Sequence, residues 1–268
     1  NDEFFGEYVD PSNERLKYLT GFAGSAGQAL ILMKEAFLFV DGRYTLQAQK
    51  EIKKGFRVVE IHKIKPLKIL KKNKKKLIIG FDPKLYTETI LTNLFASKKV
   101  KLISIKKNLI DKIWSNKFKP KFNKFFILKN QYVGQSYVHK VNLICNILKK
   151  INLKNLLITA PENVAWILNI RGKDNSFSPI PNCNAIVNYK KKVTLIVDNN
   201  KISKNFKSRF GKILKYINPS NIIGYLDSLD VKESFLIDKI TCSLFYKSKI
   251  ENRFKYVEKI DPIFFLKS

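Results

Sequence analysis

The strongest constraint in this sequence is an internal repeat, in which two stretches predict the same elements in the same order. Each copy begins with a helix, passes through a Gly-containing corner into two strand-like runs, and ends with an aspartate. The matched helix residues are Glu14 and Glu162, Tyr18 and Trp166, and Leu19 and Ile167. The strand-like runs are 29–33 and 36–40 in the first copy and 184–188 and 193–197 in the second, closing on Asp41 and Asp198. The repeat therefore predicts two related α/β domains.

The rest of the chain also alternates between strand and helix patterns, as is typical of an α/β layer. Its strand-like runs are 56–61, 77–81, 100–105 and 125–128, and its helix-like segments are 64–70, 86–96 and 136–151. In the last of these, Val141, Ile144, Cys145 and Leu148 share one face. The expected fold class is α/β, with a mixed β-sheet flanked by helices in each domain.

The length of 268 residues suits two domains of ordinary size. Between 115 and 123 the periodic pattern lapses into SNKFKPKFN, so we predict a first domain at 1–122 and a second at 123–268. Because the chain starts with Asn1 and Met33 is its single methionine, we expect a piece of a longer polypeptide. No window approaches the roughly 18 apolar residues of a membrane span, so we expect a soluble protein without a membrane partner.

Local signals predict how these elements begin and end. The first helix follows Pro11, with Ser12 or Asn13 as its cap, and the hairpin of the first copy turns at Lys34 and Glu35. In the second copy, 159–162 (TAPE) resembles a capping box. Asp41 is expected to cap the helix that follows its strand.

Arg43 is the main candidate for a functional side chain. Its predicted position in the first turn of a helix is unfavourable for a cation, and it follows the carboxyl end of a strand, where α/β sheets place ligand sites. The alternative is a salt bridge from Arg43 to a neighbouring carboxylate. In the second copy Asn200 and Lys201 stand opposite Arg43 and Tyr44, so the fold does not require those two side chains. This comparison favours a functional role for Arg43.

The formal net charge of +29 raises the possibility of nucleic-acid binding. However, nearly all of this charge is lysine spread along the chain, since arginine occurs at only six positions. The densest run, 68–76 (KILKKNKKK), lacks the interleaved aromatic residues of single-strand binders, so we interpret it as a solvated loop. We therefore expect no nucleic-acid partner, although a lysine-rich nucleic-acid-binding protein stays an alternative.

Other catalytic chemistries find little support. His62 and His139 have no second histidine or carboxylate pair at helical spacing, so we expect no metal site. The three cysteines lack metal-ligand spacing and predict buried thiols.

Two further motifs predict local structure rather than catalysis. Ser25 lies in GSAG, which is not a nucleophile motif, and we interpret Gly21, Gly24 and Gly27 as a tight turn. The corner 171–174 (RGKD) predicts an arginine that holds a loop, with ligand contact as the alternative.

Four motifs in the same order resemble the amino-terminal half of the Xaa-Pro aminopeptidases, in the creatinase and prolidase superfamily. These motifs are EYVDPSNERLKYLTGFAGSAGQALI, FVDGRYTLQA, APENVAWILNIRG and SPIPNC. The resemblance extends over nearly the whole chain and fits the three-domain branch of the family best. It implies two tandem creatinase-type N-terminal domains, with the C-terminal pita-bread metallopeptidase domain absent from this chain.

The resemblance also implies which domain carries out the reaction and which residues contact the substrate. In the family, the third domain holds two divalent metals, usually Mn²⁺, on two aspartates, a histidine and two glutamates, and none of those motifs occurs here. A metal-bridging hydroxide attacks the carbonyl before a penultimate proline. The arginine of the D-G-R-Y motif reaches the substrate, and here it is Arg43. Asp41 and Tyr44 belong to the same motif and are assigned to positioning.

We therefore expect a non-catalytic part of a cytoplasmic, homodimeric Xaa-Pro aminopeptidase, with a penultimate-proline peptide as substrate. We expect no catalytic residue and no metal ligand in this chain, and we expect the chain alone to be inactive. A second alternative is a creatinase-type binding module without enzymatic activity.

Overall fold

The structure is a computed structural model that describes residues 2–72, 75–120, 122–175 and 177–267. The chain divides into two compact units, 1–119 and 120–268. None of the helices in the described ranges is long and apolar enough to cross a membrane.

The first unit contains five strands and five helices among its described residues. The strands are β1 (Gly27–Ile31), β2 (Ala36–Val40), β3 (Phe56–Glu60), β4 (Leu77–Phe81) and β5 (Val100–Ser104). The helices are α1 (Arg15–Thr20), α2 (Thr45–Glu51), α3 (Pro66–Leu70), α4 (Glu88–Phe95) and α5 (Leu109–Ile113). β2 pairs antiparallel with β1 and parallel with β3, and β4 and β5 form a separate parallel pair.

The second unit contains the strands β6 (Phe126–Ile127), β7 (Asn155–Ile158), β8 (Ile170–Arg171), β9 (Asn184–Asn188), β10 (Lys192–Ile196), β11 (Leu214–Ile217), β12 (Ser234–Asp238) and β13 (Lys255–Lys259). Six of them form a mixed sheet in the order β11-β10-β9-β7-β12-β13. Its helices are α6 (Tyr137–Lys150), α7 (Pro161–Leu168), α8 (Lys204–Phe210), α9 (Ile222–Asp227), α10 (Leu244–Glu251) and α11 (Ile263–Leu266). The short strands β6 and β8 pair separately.

The strand pairings repeat between the two units. The antiparallel hairpin β1-β2 with parallel β3 corresponds to β9-β10 with parallel β11, and the parallel pair β4-β5 corresponds to β12-β13. In the second unit β7 pairs with both β9 and β12 and joins the two halves into one sheet. No described strand of the first unit takes that place, so its halves form two sheets rather than the single one expected. The predicted mixed α/β fold class is confirmed.

The larger core lies in the second unit, where α6 packs against the sheet. Its predicted apolar face is buried, with Ile144, Cys145 and Leu148 fully inaccessible and Val141 nearly so. Full burial of one such aliphatic side chain stabilises the fold by about 1.5–3 kcal/mol. The first unit has a smaller cluster, formed by Phe22, Leu38, Val40 and Ala48.

The predicted cap at the start of the chain was wrong. Asp10, not Ser12 or Asn13, accepts a backbone hydrogen bond from Ser12 at 2.8 Å, and it caps the 3-10 turn Pro11–Asn13 that precedes α1. The carboxylate stands directly before a proline, which already has the backbone angle of a first helical residue. The Ser12 hydroxyl donates to the same carboxylate and is buried.

Two further local predictions were wrong. β1 ends at Ile31, so the hairpin loop has four residues, 32–35, instead of the predicted two. A hydrogen bond from Leu32 N to Glu35 O, at 2.8 Å, closes this loop. This sequence lacks the Asn-Gly pair that a two-residue turn favours. Thr159 does not cap α7, because its hydroxyl bonds that of Thr241 at 2.8 Å, 82 positions later.

The lysine-rich run 68–76 is only partly described. Its first residues, 68–70, belong to α3, as the predicted helix-like segment 64–70 had indicated. Residues 73 and 74 lie outside the described residues.

Asp261 gives the second unit a testable pH dependence. Burial raises the pKa of its carboxyl from 3.8 to about 6, although Ile263 N and the Asn163 amide donate to it. Between these values the folded state holds more protons than the unfolded state, so stability falls as pH rises from about 4 to about 6, by up to about 3 kcal/mol. The change Asp261→Asn removes this pH-dependent loss of stability, because an amide does not ionise.

We expect the unfolding free energy of Asp261→Asn, measured in urea relative to the parent chain, to improve by about 2–3 kcal/mol between pH 4 and pH 7. A difference that does not change with pH would show that Asp261 titrates at its ordinary value in the folded chain.

Candidate functional site

The candidate site is the turn that follows β2. The last four residues of this strand are buried, and the chain leaves the sheet at Asp41 into a 3-10 turn, Gly42–Tyr44, that leads into α2. Asp41 Oδ1 accepts a hydrogen bond from the backbone N of Arg43 at 3.0 Å. The aspartate therefore caps this 3-10 turn and not the helix that the sequence had predicted it to cap. Arg43 lies in the turn before α2 and not in the first turn of that helix, so its expected opposition to the dipole of that helix does not apply.

The Arg43 side chain is held at one point and is otherwise open to solvent. Its Nε donates to Asp41 Oδ1 at 2.8 Å, and 78% of the side chain is exposed. Its Cζ lies 5.8 Å from the ring centroid of Tyr44. The salt bridge weighed as an alternative therefore exists, but an exposed ion pair contributes little and exchanges easily. Within the described residues neither Nη nitrogen makes a hydrogen bond, so both can meet a ligand.

Asp41 also holds a histidine that sequence analysis did not place at this site. His62 Nε2 lies 3.2 Å from Asp41 Oδ2. The Arg43 side chain, the Arg43 backbone amide and His62 together hold the pKa of the Asp41 carboxyl far below its usual range. The carboxyl group is therefore ionised throughout the physiological range. The parallel pairing of β2 with β3 sets Val40 opposite Glu60, and this brings His62 to the end of β2 beside Asp41. Recognising these two strands as parallel neighbours from the sequence could have revealed that His62 lies at the site.

Tyr44 fixes the turn against the glycine corner. Its hydroxyl lies 2.9 Å from Ser25 Oγ, and its ring packs edge-on against Phe22 with centroids 5.9 Å apart. A Cβ at Gly24 would stand 2.2 Å from Phe22 Cζ, so the corner approaches these rings too closely for any larger residue. These contacts hold the Tyr44 side chain in place and engage Ser25 as the hydrogen-bond partner of its hydroxyl.

The second unit shows which parts of this turn the fold requires. Asp198 Oδ1 accepts from the backbone N of Asn200 at 2.8 Å and caps the 3-10 turn Asn199–Lys201. Lys201, opposite Tyr44, pairs with the buried Asp174 at 2.8 Å. The aspartate and its cap are therefore common to both units, whereas the exposed arginine belongs to the first unit.

The polar corner at 171–174 serves the structure. Arg171 Nη1 donates to the carbonyl oxygens of Ile170 at 2.8 Å and Ala165 at 3.2 Å. Asp174 accepts from the backbone N of Asn182 at 2.7 Å. These bonds hold the loop, which is the first of the two interpretations weighed for this corner.

The titratable residues of the described ranges do not fit a metal ion. No group of three or more His, Cys, Asp or Glu side chains in those ranges could hold one. The cysteines are free and buried, and burial raises the pKa of the Cys183 and Cys242 thiols.

Two family models for the creatinase/prolidase N-terminal domain match the chain, one at 8–113 and one at 116–268. The chain belongs to the creatinase/prolidase N-terminal domain family. The two matches correspond to the two units with their repeated turns.

Several curated proteins are similar to these two domains. Xaa-Pro aminopeptidase 1 of Dictyostelium discoideum is 30% identical over 285 aligned residues, which cover 100% of this chain and 45% of that protein. Probable Xaa-Pro aminopeptidase P of Coprinopsis cinerea is 32% identical, over 89% of this chain and 39% of that protein. The chain thus spans less than half of the length of these relatives.

A solved structure has the same fold. The X-prolyl aminopeptidase of Caenorhabditis elegans, described as a cytosolic enzyme with a di-nuclear active site, superposes with a TM-score of 0.88. The match covers 98% of this chain and 45% of that one, at 22% sequence identity. This similarity supports the fold of the two creatinase/prolidase N-terminal domains.

Proposed function

We propose that the chain is the N-terminal, non-catalytic part of a metal-dependent Xaa-Pro aminopeptidase, which hydrolyses the bond between an N-terminal residue and proline. The similar proteins are Xaa-Pro aminopeptidases. The chain spans less than half of their length, and in this proposal the reaction centre lies in a part of the enzyme outside these two domains. In this proposal, domain I comprises 1–122 and domain II 123–268, and both shape the substrate cleft.

The observation that supports this proposal is the exposed Arg43 at the carboxyl end of β2. A guanidinium offers donors in a fixed planar fork, which suits peptide carbonyls or a carboxylate better than the point charge of lysine does. Because Nε is bound to Asp41, the two Nη groups are the donors proposed for the peptide. Asp41 sets the direction of the guanidinium, and Tyr44 fixes the turn that supports it.

The remaining parts of the proposal concern the whole enzyme. Two divalent ions, with Mn²⁺ as the expected metal, are proposed for the C-terminal domain of the whole enzyme. The C. elegans structure is described as a cytosolic enzyme with a di-nuclear active site, which supports two metals and a cytoplasmic location. A homodimer and the absence of a nucleic-acid partner complete the proposal.

In the whole enzyme we expect Arg43→Ala to lower kcat/KM for a Xaa-Pro peptide by about 10- to 100-fold, because one charge-assisted hydrogen-bonding group is lost. The melting temperature should change by less than about 2 °C, since the side chain is exposed. Arg43→Lys keeps the charge but loses the fork, so we expect intermediate activity. Peptidase kinetics and thermal unfolding of the same preparations measure both effects.

Asn200→Ala is the matched control, because it changes the corresponding position of the second unit and keeps the backbone N that Asp198 accepts. It should leave kcat/KM unchanged. Parallel losses of activity and melting temperature in Arg43→Ala would instead assign this arginine to the structural salt bridge.

We also expect the purified 268-residue chain to show no peptidase activity with added Mn²⁺, because the metal ligands lie elsewhere in the enzyme. The assay is release of the first residue of a Xaa-Pro peptide, with the whole enzyme as positive control. Turnover that copurifies with the chain through successive columns would contradict the assignment of the reaction centre.

A further inference from the structure

A second polar site lies in the first unit, at the carboxyl ends of β4 and β5. It is a cleft of about 290 Å³, and the segments that follow these two parallel strands line it. This edge of a parallel sheet is where α/β proteins bind ligands. The cleft does not include Arg43 or any other residue of the turn after β2.

The floor of the cleft contains a buried arginine. The side chain of Arg15 is 7% exposed, and its Nε and Nη2 donate to Asp111 at 3.0 Å each, with Nη2 also 2.9 Å from Glu3. The third nitrogen, Nη1, is buried without a hydrogen-bond partner among the described residues. A buried guanidinium donor without an acceptor is costly, and the positive charge of this guanidinium favours an oxyanion in the cleft that Arg15 lines.

The rim of the cleft is strongly basic. Four lysines line it, at 84, 106, 107 and 112. Of these, Lys106, Lys107 and Lys112 form no ion pair with any described carboxylate. The cationic side chains of the cleft therefore outnumber its three carboxylates, Glu3, Asp82 and Asp111.

The three carboxylates are already bound to protein donors. The Arg15 guanidinium donates hydrogen bonds to Glu3 and Asp111, and Asp111 also accepts a hydrogen bond from Lys117 Nζ at 3.0 Å. Asp82 accepts from Asn108 Nδ2 at 2.9 Å and from the backbone N of Lys84 at 3.0 Å. Arg15 and Lys117 offset the negative charges of Glu3 and Asp111, whereas the ammonium groups of Lys106, Lys107 and Lys112 form no ion pair with a described carboxylate.

We infer that this cleft binds a phosphate group, either as free inorganic phosphate or as the phosphoryl group of a phosphomonoester. Buried arginine and clustered lysines are the donors that recognise such a multiply charged oxyanion. The proposal does not depend on Arg43 or on peptidase activity. It assigns a ligand to domain I that is separate from the peptide.

The sequence supplies a matched pair of variants for the test. Lys106 and Lys107 follow the carboxyl end of β5, while Lys98 and Lys99 precede its amino end and lie outside the cleft. All four side chains are exposed, so either pair can be changed to methionine with the same loss of charge and little effect on folding. Non-specific attraction to this basic chain would weaken equally in both variants.

The experiment is calorimetric titration of the 268-residue chain with inorganic phosphate, and separately with glycerol 3-phosphate, at constant ionic strength set with chloride. We expect saturable binding at one site, weakened about tenfold or more by Lys106→Met with Lys107→Met and unchanged by Lys98→Met with Lys99→Met. Arg15→Lys, which removes Nη1, should also weaken binding. If glycerol 3-phosphate binds more tightly, the natural ligand is a larger phosphorylated molecule. If inorganic phosphate binds more tightly, the natural ligand is the free ion.

Two results would overturn the inference. One is the absence of saturable binding of either probe above the chloride background. The other is an equal loss in the two lysine pairs, which would identify the interaction as general attraction to a cationic surface. If Arg15→Lys does not fold, the comparison of the two lysine pairs still decides the question.

Discussion

A single carboxylate, that of Asp41, determines how the candidate site is built. It stands where a buried strand leaves the sheet, and it must satisfy a free backbone amide of the turn that follows. The same oxygen binds Arg43 Nε, and the other oxygen contacts His62. Because one group both ends the strand and orients the arginine, the position of the guanidinium follows from the fold itself.

The presence of two copies of the turn separates structure from function within one molecule. Asp198 repeats the cap with Asn200 in place of an arginine, so the cap is a property of the fold. The side chains beyond it differ according to their surroundings. Lys201 reaches a buried aspartate in the second unit, whereas Arg43 remains exposed in the first. The exposed arginine, which has no counterpart in the second unit, is the observation on which the proposed contact with the peptide depends.

Local patterns predicted much of this fold from sequence. The bounds of β2 and β9 and the apolar face of α6 were predicted correctly, because a short apolar run or a helical periodicity depends only on nearby residues. Two helix caps were predicted incorrectly. At the start of the chain several neighbouring side chains could accept the backbone hydrogen bond, and Asp10 does so. Thr159 instead bonds Thr241, a partner too far along the chain for a local pattern to indicate.

The same distinction applies to the sites. Arg43 could be singled out because its turn is local and its counterpart in the repeat differs. His62 was missed, because it reaches Asp41 through the parallel pairing of β2 with β3, which the sequence analysis did not predict. The buried Arg15 was equally hidden, because its partner Asp111 lies 96 positions along the chain. Contacts of this kind arise from tertiary packing, which single-sequence patterns do not contain.

The most direct test of this account is a crystal structure of the whole enzyme with an uncleaved Xaa-Pro peptide analogue bound. The account predicts that an Nη nitrogen of Arg43 lies within about 3.2 Å of a peptide oxygen, while Nε stays on Asp41. A bound peptide that leaves Arg43 in contact with Asp41 alone would contradict it.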